Sequence, residues 1–253
     1  PDTSYVVQFD LPAHFRRSPV DANSNASDAA DSDADLVDGR SPATYLSPDE
    51  YDDTVDAGFV PLAFLGDYVW EDLDGDGVQG GTGELGVNGI TVNLYVASNL
   101  TTPVDTTTTV NNPVGGAAGY YQFEDLDAGD YVVEFVLPSG AIFTTQDAAA
   151  ATDATDSDAD RFSGQTATVT LDWGDSDQTV DAGILEPAAL GDYVWLDADD
   201  DGGQDGGESG ILNVTVNLLD GVGNPVDDPN TVGAQDYTTT TDGSGAYSFT
   251  GLF

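Results

Sequence analysis

The sequence of 253 residues has no cysteine, no methionine and no lysine, and it carries a single histidine. Without cysteine there are no disulfides, no thiolate nucleophile and no thiolate zinc site, so any cross-bracing must come from other chemistry. The only other cations are Arg16, Arg17, Arg40 and Arg161. Four scattered arginines cannot form the clustered basic surface that phosphate groups require, which excludes nucleic acid and an anionic membrane as partners. No run of about 18 apolar residues occurs, so no membrane insertion by a helix is expected in this segment.

Aspartate fills the space those residues leave. Of 47 acids, 40 are Asp rather than Glu, and the formal net charge is -43. Helix formers are scarce beside Thr, Val, Gly, Asn and Asp, a balance that favours short strands joined by turns. With 10 Phe, 11 Tyr and 3 Trp the chain still has the material for packed cores, so it is not a disordered acidic tail. The Asp excess also fits adaptation to high salt, where a Debye length of about 3 Å at 1 M screens self-repulsion.

Internal repetition organises the chain. LGDYVW occurs at Leu65 to Trp70 and at Leu190 to Trp195, DSDAD at Asp31 to Asp35 and Asp156 to Asp160, and TVDAG at Thr54 to Gly58 and Thr179 to Gly183, each pair 125 residues apart. Period-2 alternation marks strands at Ile90 to Val96, Tyr131 to Phe135 and Ala167 to Leu171. The expected fold class is all-β, with tandem antiparallel β-sandwich repeats of about 125 residues. Residues 64–188 read as one complete repeat, 1–60 as the C-terminal half of another and 189–253 as the N-terminal half of the next. Half a sandwich exposes an apolar face and an open edge, so a neighbour is expected to complete each end. That neighbour is either the next stretch of a longer covalent array or a separate subunit docking by strand complementation. The short link from Asp56 to Trp70, with apolar residues and one Pro, predicts a stiff rod.

Two loops have the spacing of a calcium ligand set. From Asp197 as position 1, Asp199, Asp201, the Gly203 carbonyl, Asp205 and Glu208 occupy positions 3, 5, 7, 9 and 12, with Gly202 at the sharp turn. The first repeat places Asp72, Asp74, Asp76 and the Val78 carbonyl likewise, but Glu84 arrives one residue late and Gly80 replaces the Asp at position 9. Weaker binding is expected there. A second acidic cluster in each repeat gathers Asp153, Asp156, Asp158 and Asp160, or Asp28, Asp31, Asp33 and Asp35. Carboxylates so close repel unless a cation or water intervenes, so the alternatives are a metal site and a solvated acidic loop. Several Ca²⁺ ions per repeat are expected, bracing the long loops as disulfides do elsewhere.

The run from Leu190 to Asp220, followed by TTTTDGSGAYSFTGL and, in the other copy, by TDSDAD and TVDAG, resembles the B-type repeats of the serine-aspartate-repeat (Sdr) surface adhesins. These belong to the wider collagen-adhesin B-like (Cna-B-like) group with prealbumin-like topology. The resemblance implies a calcium-rigidified, extracellular stalk domain, with Asp197, Asp199, Asp201, Asp205 and Glu208 as ligands and Asp156, Asp158 and Asp160 in further sites. Many relatives lock themselves with a Lys–Asn isopeptide bond, which a chain without lysine cannot make.

Catalysis finds little support. His14 has no counterpart in the second copy and reads as a surface residue, so no Ser-His-Asp arrangement is expected. Trp70 and Trp195 recur in a strand and read as core, whereas Trp173 has no partner copy and suits an exposed position. The rival to a structural stalk is a glycan- or protein-binding adhesin module, using Trp173 or the Asn99 to Pro113 insertion. Asn25, Asn99 and Asn213 head glycosylation sequons, Asn213 abutting a strand.

Overall fold

A computed structural model of the protein describes residues 3–20, 31–149, 151–228, 231 and 233–252. Asn25 and Asp28 lie outside the described residues, among which there is no α-helix. The N-terminal segment contributes β1 (Thr3–Tyr5), β2 (Phe15–Arg17), β3 (Thr44–Leu46) and β4 (Phe59–Pro61). The central unit is built from β5 (Ala63–Glu71), β6 (Thr91–Val96), β7 (Asp105–Thr108), β8 (Tyr120–Leu126), β9 (Gly129–Val136), β10 (Ile142–Phe143), β11 (Val169–Leu171), β12 (Ser176–Asp177) and β13 (Ala182–Leu185). The C-terminal segment adds β14 (Ala188–Tyr193), β15 (Thr215–Asn217), β16 (Thr238–Thr240) and β17 (Ala246–Leu252).

The central unit is a sandwich of two sheets. One runs β11-β9-β6-β7, wholly antiparallel, while the other places β13 and β12 beside β5, with β8 also pairing β5 and β10 outside β13. The pairings of β5 with β12 and β13 are parallel, a feature that alternation alone does not reveal. Inward positions of the two sheets carry Leu65, Val69, Val92, Leu94, Tyr121, Phe123, Val133, Phe135 and Leu171, all buried. Each such side chain contributes roughly 1.5–3 kcal/mol by leaving water. Tyr121 stands edge-on to Phe135 at 5.5 Å and donates its hydroxyl to the Val180 carbonyl at 2.7 Å, so its one polar atom is satisfied. Trp70 is 1% exposed, in keeping with its reading as core.

Behind Trp70 the chain crosses itself closely. A Cβ on Gly86 would sit 1.6 Å from the Ala118 carbonyl oxygen, and one on Gly210 would sit 1.7 Å from that of Ser244. Both obstacles are backbone, so neither can rotate away. Gly86→Ala is expected to destabilise the central unit by about 3 kcal/mol, read as a lowered urea midpoint with unchanged slope. An unchanged midpoint would mean that the crossing has room for a methyl group.

The flanking segments repeat the central unit in register. β14 pairs β17 through Leu190↔Phe249 and Tyr193↔Ala246, matching Leu65↔Phe123 and Tyr68↔Tyr120 between β5 and β8, with a bulge at the same place. β2 pairs β4 through Arg17↔Phe59, as Phe143 pairs Ile184 between β10 and β13. The N-terminal segment meets the central unit through His14 and Arg16. His14 Nδ1 lies 2.9 Å from Asp125, Arg16 Nε donates to Asp127 at 3.0 Å, and the Arg16 guanidinium lies 4.5 Å from the centre of the Trp173 ring. His14 is thus a half-exposed surface residue, and Trp173, 43% exposed, is partly covered by the arginine.

Candidate metal centres

The loop after β5 turns back on the carboxylate of Asp72. Its Oδ1 accepts from Gly75 N at 2.7 Å and its Oδ2 from Gly77 N at 2.9 Å, with the Thr144 hydroxyl donating to the same Oδ2. Gly77 has φ of 76°, and a Cβ there would lie 2.8 Å from the Thr145 carbonyl, so the turn needs glycine twice over. Carboxylate oxygens of Asp72, Asp74 and Asp76 come within 4.8 Å of one another. Asp76 also accepts from Val78 N at 2.8 Å.

The loop after β14 repeats this bonding. Asp197 Oδ1 accepts from Asp200 N at 2.7 Å, Asp197 Oδ2 from Gly202 N at 3.0 Å, and Asp201 Oδ1 from Gly203 N at 2.7 Å. Oxygens of Asp197, Asp199 and Glu208 form one triad within 4.8 Å, and those of Asp199, Asp201 and Asp205 form another. All five predicted carboxylates therefore converge, with Asp199 common to both groups. Hard oxygen donors brought this close could hold a metal ion.

The extra residue before Glu84 is absorbed at Gly80 and Gly81. Glu84 Oε1 accepts from Leu73 N at 3.3 Å and Oε2 from Gly80 N and Gly81 N at 3.0 and 2.6 Å; Glu208 likewise accepts from Ala198 N at 2.7 Å and Asp205 N at 3.1 Å. Both glutamates close their loops in the same way, although Glu84 stands outside the triad of Asp72, Asp74 and Asp76. The loops differ in burial. Asp72 is 1% exposed beneath Thr144, whereas Asp197 is open to solvent.

Asp153, Asp156, Asp158 and Asp160 lie on the loop leading to β11, and this loop is pinned to the first ligand loop. Val78 bridges to Asp156, and Gln79 N donates to the Thr155 carbonyl at 2.6 Å. Asp156 is 8% exposed, and its Oδ1 has no hydrogen-bond partner. Asp158 Oδ2 accepts from Asp181 N at 2.7 Å, and Asp181 Oδ1 from Tyr68 N at 3.1 Å. Asp181 is fully buried, and its Oδ2 finds no donor group while the Asp67 carboxyl lies against it.

Burial, then the negative charge of Asp67, pushes Asp181 up to about 9. Burial first, with Asp156, Asp153 and Asp147 nearby, takes Asp158 to about 7, and burial followed by Asp177 takes Asp67 to about 6. Such a group holds protons or a cation. Asp67 and Asp181 were not legible as site residues in the sequence, because they sit in strand motifs, GDYVW and TVDAG, rather than in acidic runs.

Asp160 behaves differently. Its Oδ1 accepts from Phe162 N, Ser163 N and the Ser163 hydroxyl, and those bonds, from the Ser163 backbone first, hold its pKa below the usual carboxylate range. Its counterpart Asp35 accepts from Val37 N at 2.8 Å, and Asp33 Oδ2 from Asp56 N at 2.8 Å, as Asp158 does from Asp181. Asp31 is only half-buried. Asn99 is exposed, its carbonyl oxygen accepting from the Thr101 hydroxyl at 2.7 Å, and Asn213 has φ of 63° at the entry to β15.

A profile of the SdrD B-like domain matches residues 63–184 and 188–253. Serine-aspartate repeat-containing protein F of Staphylococcus epidermidis is 38% identical over 98% of this chain, which covers 13% of that protein. Serine-aspartate repeat-containing protein D of Staphylococcus aureus strain MW2 is 35% identical over 98% of this chain, covering 16% of that protein. The chain thus spans only a small part of these relatives. A streptococcal ancillary pilin structure is 13% identical, covering 87% of this chain and 60% of its own, with a TM-score of 0.34. The matched family consists of non-catalytic repeat modules of cell-surface proteins, which places this chain outside the cell. Two repeats matched over most of the chain, the doubled GDYVW strand and the doubled acidic loop together show that the protein belongs to the SdrD B-like domain family.

Proposed function

We propose that this chain is a calcium-stiffened segment of a cell-surface stalk, in which bound Ca²⁺ fixes the long acidic loops to the sandwich. The observation that carries the reading is the convergence of Asp197, Asp199, Asp201, Asp205 and Glu208 into two overlapping triads, with Asp72, Asp74 and Asp76 converging in the preceding repeat. Asp197 with its partners, and Asp72 with its own, would hold one ion each; the Gly203 and Val78 carbonyls occupy the remaining loop position. The buried carboxyls of Asp67, Asp156, Asp158 and Asp181, of which Asp156 Oδ1 and Asp181 Oδ2 accept no hydrogen bond, would hold a further ion only after moving together, since no three of their oxygens lie within 4.8 Å of one another. Calcium supplies charge neutralisation and cross-bracing, and the loops' own backbone N–H bonds keep the carboxylates pre-aimed.

Calorimetric titration of the chain with Ca²⁺ tests this directly. Asp197→Asn and Asp72→Asn are each expected to remove one site from the stoichiometry and to leave the others intact. Unchanged stoichiometry in both variants would return these loops to solvated acidic turns.

A further inference from the structure

Two residues at the joint between the N-terminal segment and the central unit hold a left-handed backbone conformation that suits glycine and costs other residues. They are His14, with φ of 61°, and Asp125, with φ of 59°. Their counterparts one repeat further on are glycines. Counting back from the match of Arg17 with Phe143 sets His14 on Gly140, whose φ is 95°, and counting on from the match of Phe123 with Phe249 sets Asp125 on Gly251, whose φ is 76°. The two exceptions meet each other, His14 Nδ1 lying 2.9 Å from Asp125 Oδ1. At positions where the repeat otherwise has glycine, both residues use their side chains to reach across the same joint.

The rest of the joint follows the same rule. The His14 ring stands edge-on to Phe64 with centroids 4.9 Å apart, and the His14 carbonyl accepts from Leu62 N at 2.9 Å. Arg16 donates to Asp127 and lies over Trp173. At the joint that follows the central unit, the equivalents of His14, Arg16, Leu62, Phe64 and Asp125 are Gly140, Ile142, Pro187, Ala189 and Gly251. Proline has no N–H to donate, alanine has no ring, isoleucine has no charge and neither glycine has a side chain, so none of these contacts can form there. Charge is distributed to match. The chain has four arginines and one histidine at a net charge of -43, and His14, Arg16 and Arg17 are three of those five residues.

We propose that Phe64, Asp125, Asp127 and Trp173 form a socket for the turn from His14 to Arg16 of the preceding repeat, fixing the angle between the two repeats by a lock that the following joint does not have. The partner that fits is a turn carrying an imidazole and a guanidinium two residues apart, with a free carbonyl facing the linker. Stacking and hydrogen bonds set its geometry, so concentrated salt screens the ion pairs without releasing the turn.

The socket deepens the stalk reading and rests on its tandem repeats, not on calcium. A chain without cysteine takes a pair of spin labels cleanly, and Val37 and Val114, 89% and 84% exposed, stand on either side of the joint. Pulsed electron spin resonance on Val37→Cys with Val114→Cys is expected to give one narrow distance distribution. Adding His14→Gly with Asp125→Gly, which copies Gly140 and Gly251 and relieves both left-handed residues, is expected to widen it at least twofold. Arg16→Gln, which leaves the backbone as it is, is expected to widen it by a smaller factor. Labels within the N-terminal segment, at Val37 and the equally open Tyr51, should keep their distance in every variant.

A broad distribution across the unaltered joint, or one that the glycine pair leaves unwidened, would overturn the socket. So would loss of the Val37 to Tyr51 distance in the glycine variant, because His14 would then hold its own segment rather than the joint. Repeating the measurement with a calcium chelator separates the two readings. Widening by chelator and not by the glycine pair would sink the socket and leave the calcium stalk standing; widening by the glycine pair and not by chelator would uphold the socket alone.

Discussion

Chelating calcium at fixed ionic strength lowers the melting temperature of the central unit by about 15–20 °C, and Ca²⁺ restores it while equimolar Mg²⁺ does not. A ligand held at about 100 times its Kd stabilises a fold by about 2.7 kcal/mol, so two ions add about 5 kcal/mol. For a unit of this size each kcal/mol moves the midpoint by roughly 4 °C. On the proposed reading the two ions would be those of the Asp72 loop and the buried carboxyls, whose loops are joined by the contacts of Val78 with Asp156 and of Gln79 with Thr155. Magnesium keeps its waters and demands a tight octahedron, which loops of this design do not impose. A midpoint indifferent to chelator would leave the carboxylates serving solubility or salt tolerance, and the stalk would owe its stiffness to packing alone.

Asp181→Asn reverses sign with calcium. Under chelator near pH 8 it raises the melting temperature by about 5 °C, and with calcium it lowers it. The folded-state values near 9, 7 and 6 for Asp181, Asp158 and Asp67 all lie above the ordinary 3.8. The folded chain therefore keeps protons that the unfolded chain has released. The contribution of these groups is fully present below about 3.8 and is lost as pH rises through 6, 7 and 9. Without a cation, wild-type stability thus falls from mildly acidic toward alkaline pH. Asparagine removes the largest of these shifts, and its carbonyl oxygen can still accept from Tyr68 N. Relief of about 1–2 kcal/mol of buried repulsion corresponds to the rise of ~5 °C. With calcium bound the carboxylate oxygen is wanted, so the same change is a loss. Thermal melts of both proteins across pH, with and without chelator, check the crossing; equal shifts in both conditions would remove Asp181 from any ion site.

Local features of the site were legible in the sequence, and non-local ones were not. The ligand loops are contiguous, so spacing alone placed Asp197, Asp199, Asp201, Asp205 and Glu208 together. The strands of the antiparallel sheet showed in their alternation. By contrast, alternation says that β5 is a strand and nothing about its neighbours, and its parallel partners β12 and β13 come from more than a hundred residues away. The Asp67 and Asp181 pair depends on that contact and stayed hidden with it. The late Glu84 keeps the hydrogen bonds of Glu208, two glycines taking up the extra residue, yet it stands outside the triad of Asp72, Asp74 and Asp76, as Glu208 does not stand outside its own. Asp160 counts as a ligand by composition, yet the Ser163 turn occupies one of its oxygens.

The parallel contact of β5 with β13 has a mechanical consequence. These are the first and last strands of the central unit, side by side and pointing the same way, paired at Ala182↔Val69, Gly183↔Trp70 and Ile184↔Glu71. Tension applied between the start of β5 and the end of β13 runs along the strands and pulls them past each other. The bridging hydrogen bonds are loaded together in shear, rather than opened one by one as in a peeled hairpin. Asp181, at the entrance to β13, accepts from Tyr68 N on β5 across the same seam and adds a side-chain bond to the clamp. Resistance to extension in the central unit therefore resides in a few backbone bonds between its first and last strands, with the Asp181 side chain bridging them.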